Sequence, residues 1–228
     1  MNDLLQETCA LLSGVRTDWA ICGGFAIDLF LQRNTRVHSD IDIAVSEDGR
    51  EVIAAHMLRN GWKVFEYRGQ GVVRPIAEPN ESEYGRNLMC IRENCELVRF
   101  YPQPDGRLLH EVLHTGITRL NFIDVLFYDS DGADMQMNRN RAVRREKAAA
   151  ILRSAGIPYL CPEFALLYKA SGAQEEKNQA DFERVYPFMD KEQRAWFHEQ
   201  LRVLYPDGHI WDSAEQEFGC NCAAEIPQ

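Results

Sequence analysis

Asp40 and Asp42 stand one residue apart in the run Asp40-Ile41-Asp42-Ile43-Ala44-Val45. The run alternates polar and apolar residues, which predicts a strand with one buried face. Residues two apart in a strand share a side, so the two carboxylates lie next to each other while Ile41, Ile43 and Val45 turn to the core. Like charges that close repel, and both carboxyls are pushed toward the neutral form unless a positive charge lies between them. A divalent cation supplies that charge, and hard carboxylate oxygens favour magnesium. Alone the pair is a weak signal, because a chain with this much Asp holds about one such spacing by chance. Its plain alternative is a solvated acidic edge.

Two further features strengthen the pair. Gly23-Gly24 follows the short apolar run Trp19-Ala20-Ile21-Cys22 and precedes helical spacing from Phe25 to Gln32. Glycines placed there let a phosphate approach backbone N–H groups, and the helix N-terminus adds a favourable dipole. Asp124 supplies a third carboxylate, set amid Phe122, Ile123, Val125, Leu126 and Phe127. A carboxylate in an apolar strand is costly unless it is paired or binds a metal.

The elements that must position these residues can be read along the chain. Asn2–Leu12 is predicted as an amphipathic helix with Asn2 as its cap and Gly14 beyond its end. Ser46 is a candidate cap for a helix that runs to Asn60 and stops at Gly61. Trp62–Tyr67, Asn87–Ile91, Glu96–Tyr101 and Asn121–Tyr128 are predicted strands. Arg68–Gly85, rich in Gly, Pro, Glu and Asn, reads as a loop or lid. After Gly132 the chain reads as mainly helical. Pro162 opens one helix that Gly172 closes, and Asp190 with Gln193 forms a capping box ahead of Ala195, Trp196, Leu201 and Leu204. The fold class expected is α+β: a mixed β-sheet flanked by helices over residues 1–135, then a mainly helical region over 136–228.

Composition sets outer bounds. With 45% hydrophobic and 26% charged residues in 228, the chain has material for a sizeable core and is not a disordered sequence. A formal charge of -10 argues against a wrapped nucleic-acid partner and suits a cationic small substrate. No apolar run approaches the roughly 20 residues of a membrane span, so no membrane partner is expected. The start, Met1-Asn2-Asp3-Leu4, lacks a signal-peptide pattern. The seven cysteines are odd in number and scattered, which points to a reduced, cytoplasmic setting. Cys90, Cys95, Cys220 and Cys222 do not have the spacing of a common zinc knuckle.

Gly23-Gly24-Phe25-Ala26-Ile27-Asp28 and Thr35-Arg36-Val37-His38-Ser39-Asp40-Ile41-Asp42 together resemble the nucleotidyltransferase superfamily. More narrowly, they are similar to aminoglycoside- and lincosamide-type small-molecule nucleotidyltransferases. Gly156–Glu163, Leu167–Ala170, Lys177–Phe182 and Ala195–Phe197 extend the resemblance over most of residues 16–212. Asn178 departs from it, standing where Asp is usual, and residues 68–120 fit poorly. The resemblance implies a nucleotidyltransferase-like mixed sheet and a metal-dependent transfer of a nucleoside monophosphate. The donor would be a nucleoside triphosphate, ATP foremost, and the acceptor a hydroxyl of a small molecule such as an aminoglycoside- or lincosamide-like antibiotic. Two magnesium ions, or manganese, would be held by Asp40, Asp42 and Asp124. Asp124 would also accept the proton of the attacking hydroxyl. Gly23 and Gly24 would line the phosphates. Arg36 and His38 are candidate phosphate contacts or loop braces. Lys169 and Lys177 are candidate nucleotide contacts or solvated lysines.

Two competing readings stand beside this one. His110-Glu111-Val112-Leu113-His114 spells H-E-x-x-H, which on a helix places two histidines on one face for zinc. The longer pattern fails at Gly116, and Leu120 stands where a third histidine would fall. A surface helix or an acceptor-site wall is expected there instead of a metallohydrolase. The other reading is a non-catalytic nucleotide-binding or antitoxin-like module. The presence of all three aspartates favours catalysis over it.

Overall fold

The computed structural model describes residues 3–113 and 115–212. In chain order its elements begin α1 (Asp3–Leu12), β1 (Trp19–Cys22), α2 (Gly23–Leu31), β2 (Ile41–Ser46), α3 (Arg50–Arg59), β3 (Lys63–Gly69), β4 (Val72–Ile76) and β5 (Leu88–Ile91). They continue β6 (Val98–Pro102), β7 (Leu108–Val112), β8 (Phe122–Ser130), β9 (Asp134–Met137), β10 (Asn140–Glu146), α4 (Lys147–Ala150), β11 (Ile151–Ser154) and β12 (Ile157–Leu160). Three helices follow: α5 (Pro162–Ala170), α6 (Glu176–Val185) and α7 (Lys191–Leu204). The chain divides into two compact units, Met1–Ile21 with Arg36–Ser130, and Cys22–Thr35 with Asp131–Gln228.

The first unit is built on a mixed sheet in the order β1-β2-β8-β5-β3-β4-β7-β6. Strands β2 and β8 run parallel, and β5, β3, β4, β7 and β6 follow as antiparallel neighbours. Ile41, Ile43, Val45, Ile123, Val125, Leu88 and Cys90 are buried along its centre. Ile53, Ala54 and Met57 are the buried apolar residues of α3, which packs on β2 and β3. His56, in the same helix, donates from Nε2 to the Leu11 carbonyl at 2.7 Å and ties α1 down. Asn2, the expected cap of α1, lies outside the described residues.

Three expectations for this unit are corrected. Ser46 makes no capping bond; a 3-10 turn at Glu47–Gly49 intervenes, and α3 starts at Arg50. Residues 68–85 are not a plain loop. Gly69, Gln70 and Gly71 all take left-handed φ values (86°, 51° and 74°) and turn β3 directly into β4. Strand β4 buries Val73 and Ile76, and its Pro75 falls beyond the stretch that β7 pairs, where a residue without N–H is tolerated. Residues 108–112 of the H-E-x-x-H region form strand β7 rather than a helix.

The second unit holds α2, buried on nearly every side, against α5 and α6. A helix apolar all round belongs in a core. Beneath it Phe182, Tyr186, Phe197 and Trp211 form an aromatic cluster, with the Phe182 and Trp211 rings stacked 4.6 Å apart. The segment after Gly132, read as mainly helical, opens instead with two antiparallel hairpins, β9–β10 and β11–β12. After the four-residue α4, its longer helices start at Pro162, which occupies the first position of α5, and the capping box of Asp190 and Gln193 opens α7. Among the described residues no helix is long and apolar enough to cross a membrane.

Candidate functional site

Parallel pairing of β2 with β8 brings Asp42 level with Asp124, and Asp40 immediately precedes β2. Each of the three offers a carboxylate oxygen, and these oxygens all lie within 4.8 Å of one another. All three residues are half-buried, while Ile41, Ile43, Ile123 and Val125 fill the opposite face. Desolvation raises the Asp124 carboxyl well above the usual carboxylate range. The charge of Asp42 adds to the rise, that of Asp40 adds less, and a hydrogen bond from Tyr67 opposes it. Without a cation such a cluster relieves repulsion by taking up a proton. Its hard oxygen donors fit a divalent cation such as magnesium.

Tyr67 is the site residue that the sequence reading missed. Its hydroxyl donates to Asp124 Oδ1 at 2.7 Å. Burial, then the charge of Asp124, holds the phenol in its neutral form at neutral pH. No local pattern marks it. Phe65 is paired with Met89 and Met89 with Asp124, so Phe65, and Tyr67 two residues on, share the face of Asp124. Only the sheet order reveals this. His110 meets the Tyr67 ring edge-on, 5.3 Å between centroids, and its Nδ1 donates to the Gly71 carbonyl at 2.7 Å. His110 is therefore a neighbour of Tyr67 and not half of a helical zinc pair; His114 lies outside the described residues. Among the described residues, the group of three His, Cys, Asp or Glu side chains close enough to hold a metal is the aspartate triad.

A buried ion pair supports β8 just beyond Asp124. Arg50 grips both oxygens of Glu47 at 2.7 and 2.9 Å, and lies 3.7 Å over the Phe127 ring. It also donates to Ser82 Oγ and to the Arg86 carbonyl, while Gly85 N–H donates to Glu47. The charges are thus paired and their remaining bonding capacity is used, the condition under which buried charges persist.

The other predicted residues divide between the units. Arg36 reaches the Val37 carbonyl at 3.2 Å on the surface. His38 is buried, and its own carbonyl accepts from Ile117 N–H at 2.7 Å. In the second unit, Gly23 and Gly24 do not precede the helix but form its first residues, and Gly23 adopts φ 62°. Asp28, which closes the G-G-x-A-I-D run, accepts from Thr35 N–H at 2.9 Å and from its hydroxyl at 2.5 Å. The G-G-x-A-I-D run is therefore tied to Thr35, the residue at which the second run begins. Lys169 pairs with the buried Asp181 at 3.1 Å, and Lys177 with Glu175 at 3.3 Å on the surface. Asn178 donates to the Gly172 carbonyl at 2.9 Å, a bond that an ionised Asp could not make.

Residues 4–77 match the family model of aminoglycoside-2''-adenylyltransferase. No curated protein matches the chain. Among solved structures, the lincomycin-bound lincosamide antibiotic adenylyltransferase LnuA aligns with a TM-score of 0.51 at 12% identity, over 81% of this chain and 95% of that one. The antibiotic-resistance factor ANT(2'')-Ia aligns with a TM-score of 0.49 at 16% identity, over 90% and 92%. An antigenic nucleotidyltransferase-like protein from Paracoccidioides brasiliensis aligns with a TM-score of 0.42 at 14% identity, over 94% and 93%. The first of these shows a shared fold. The matched segment contains Gly23, Gly24, Asp40 and Asp42. The resemblance drawn from the sequence is borne out in the match of residues 4–77 to that family model and in the fold shared with a lincosamide antibiotic adenylyltransferase.

Proposed function

We propose that the protein transfers a nucleoside monophosphate from a nucleoside triphosphate, ATP foremost, to a hydroxyl of a small molecule of the aminoglycoside or lincosamide kind. The observation that carries this is the convergence of Asp40, Asp42 and Asp124 where two parallel strands pair. Bound magnesium would supply positive charge against the triphosphate. Asp40 and Asp42 serve as its ligands. Asp124 is a ligand and also takes the proton of the acceptor hydroxyl as that oxygen attacks the α-phosphorus and pyrophosphate departs. Its raised affinity for a proton in the metal-free cluster fits a site that calls for a cation. Gly23, Gly24, Arg36 and His38 are assigned to the phosphates. Lys177 and Lys169 are assigned to the nucleotide, although Lys169 is already paired with Asp181. The net charge of -10 supports a cationic acceptor.

The test is pyrophosphate release from ATP and other nucleoside triphosphates across an acceptor library that includes tobramycin and lincomycin. Release that needs both an acceptor and magnesium, and that EDTA stops, is the expected result. Nucleotide binding with no release for any acceptor would overturn the proposal and return the binding module.

A further inference from the structure

The H-E-x-x-H region has no part in the proposed transfer, yet it contacts the site through Tyr67. A carboxylate turns easily about its last torsion, so an isolated Asp124 would not hold one oxygen toward Asp40 and Asp42. The Tyr67 hydroxyl removes that freedom by engaging Oδ1 at 2.7 Å. Among the described residues no other hydrogen bond reaches the Asp124 side chain. The phenol ring is held in turn by the edge of His110, and His110 is fixed at both ends. Its Nδ1 and its backbone N–H both donate to the Gly71 carbonyl, at 2.7 and 2.9 Å. Gly71 closes the left-handed turn between β3 and β4, and the pairing of β4 with β7 begins at its neighbour, Val72 with Leu109.

We propose that Tyr67 is a positioning residue for Asp124, and that the β3–β4 turn acts on the carboxylate through His110 and Tyr67. The proposal rests on the reading of Asp124 as a metal ligand. It gives residues 68–112, which the resemblance leaves unexplained, a role in ordering the metal site. Hydrogen-bonding partners behind a metal ligand set its orientation and with it the affinity of the site.

The experiment is calorimetric titration of manganese into the full-length protein with a non-hydrolysable ATP analogue present, alongside thermal melts. Tyr67→Phe keeps the ring that packs on His110 and removes only the hydroxyl. It is expected to weaken manganese about 10–100-fold, the usual cost of losing such a partner. Its melting temperature should stay within a few degrees of wild type. His110→Ala should shift affinity in the same direction by less. The double variant should be no weaker than Tyr67→Phe alone, because both act through one hydroxyl. Asp124→Asn is the reference. If it weakens manganese and Tyr67→Phe does not, the inference fails and the functional reading stands. If Asp124→Asn binds manganese like wild type, the reading fails and the inference with it. A lower melting temperature with unchanged affinity in Tyr67→Phe would reduce Tyr67 to packing and also overturn the proposal.

Discussion

Asp40, Asp42 and Asp124 conflict with one another in the absence of a cation, and that conflict is measurable. Asp40→Asn and Asp42→Asn should each abolish pyrophosphate release yet leave the fold intact. In EDTA both variants should melt higher than wild type, because a repulsive contact is gone. Near-normal turnover in either would remove it from the site. Asp124 carries a pH signature as well. Its folded pKa is raised, so the native state holds the proton longer than the unfolded chain does. Below the ordinary carboxylate range both states are protonated and Asp124 costs nothing. As pH rises above that range the unfolded chain releases its proton first, so metal-free stability falls until the raised value is passed, then levels. Asp124→Asn should cancel that fall: the gap between variant and wild-type melting curves in EDTA widens with pH, and magnesium closes it. The same substitution should slow transfer by at least 10²–10⁴-fold, the usual worth of a general base.

At the scale of elements, the strands that carry the aspartates were legible because period-two alternation is a local property. Ile41, Ile43 and Val45 against Asp40 and Asp42 announce one buried face, and β2 appears within a residue of its expected start. The lone Asp124 in an apolar run likewise marked β8. Three kinds of element were hidden. Val72–Ile76 was masked by the Gly and Pro around it, although those glycines are what make the turn. His110 and Glu111 lie in a strand that pairs with the distant β4 and forms a hairpin with β6 across residues 103–107, a pairing that the four-residue helical spacing of the motif obscured. Residues 139–155 turn Ala-rich after a basic start, which suggests helix, but tertiary pairing in two hairpins overrides that propensity. Tyr67 shows the general limit: its partner is 57 residues away, and only strand order brings them together. The Glu47–Arg50 pair is an element-scale brace of this non-local kind, joining the turn before α3 to β8 and to residues 82–86. Arg50→Ala would leave Glu47 buried and uncompensated. The expected loss is about 3–5 kcal/mol in urea unfolding, much more than a surface ion pair yields. A loss below about 1 kcal/mol would mean that water reaches the site in solution.

For the whole molecule, the charge of -10 has a kinetic consequence. A cationic acceptor should be drawn in by the protein's field, so its kcat/KM should fall as salt is raised, while a neutral acceptor shows little change. Equal salt dependence for both would remove charge as a source of acceptor preference. The division into units has another consequence, for synthesis. Helix α2 is interposed within the first unit's sequence but belongs to the second, where α5 and α6 cover it. As the chain leaves the ribosome, Phe25, Ile27, Leu29 and Leu31 therefore emerge long before the second-unit strand and helices that pack on them, which begin at Ile157. At ordinary elongation rates the wait is on the order of ten seconds. During it a helix apolar except at Asp28 has no native cover from its own unit, so the nascent chain is a natural client for a holding chaperone, and no single cut in the gene yields two self-sufficient halves.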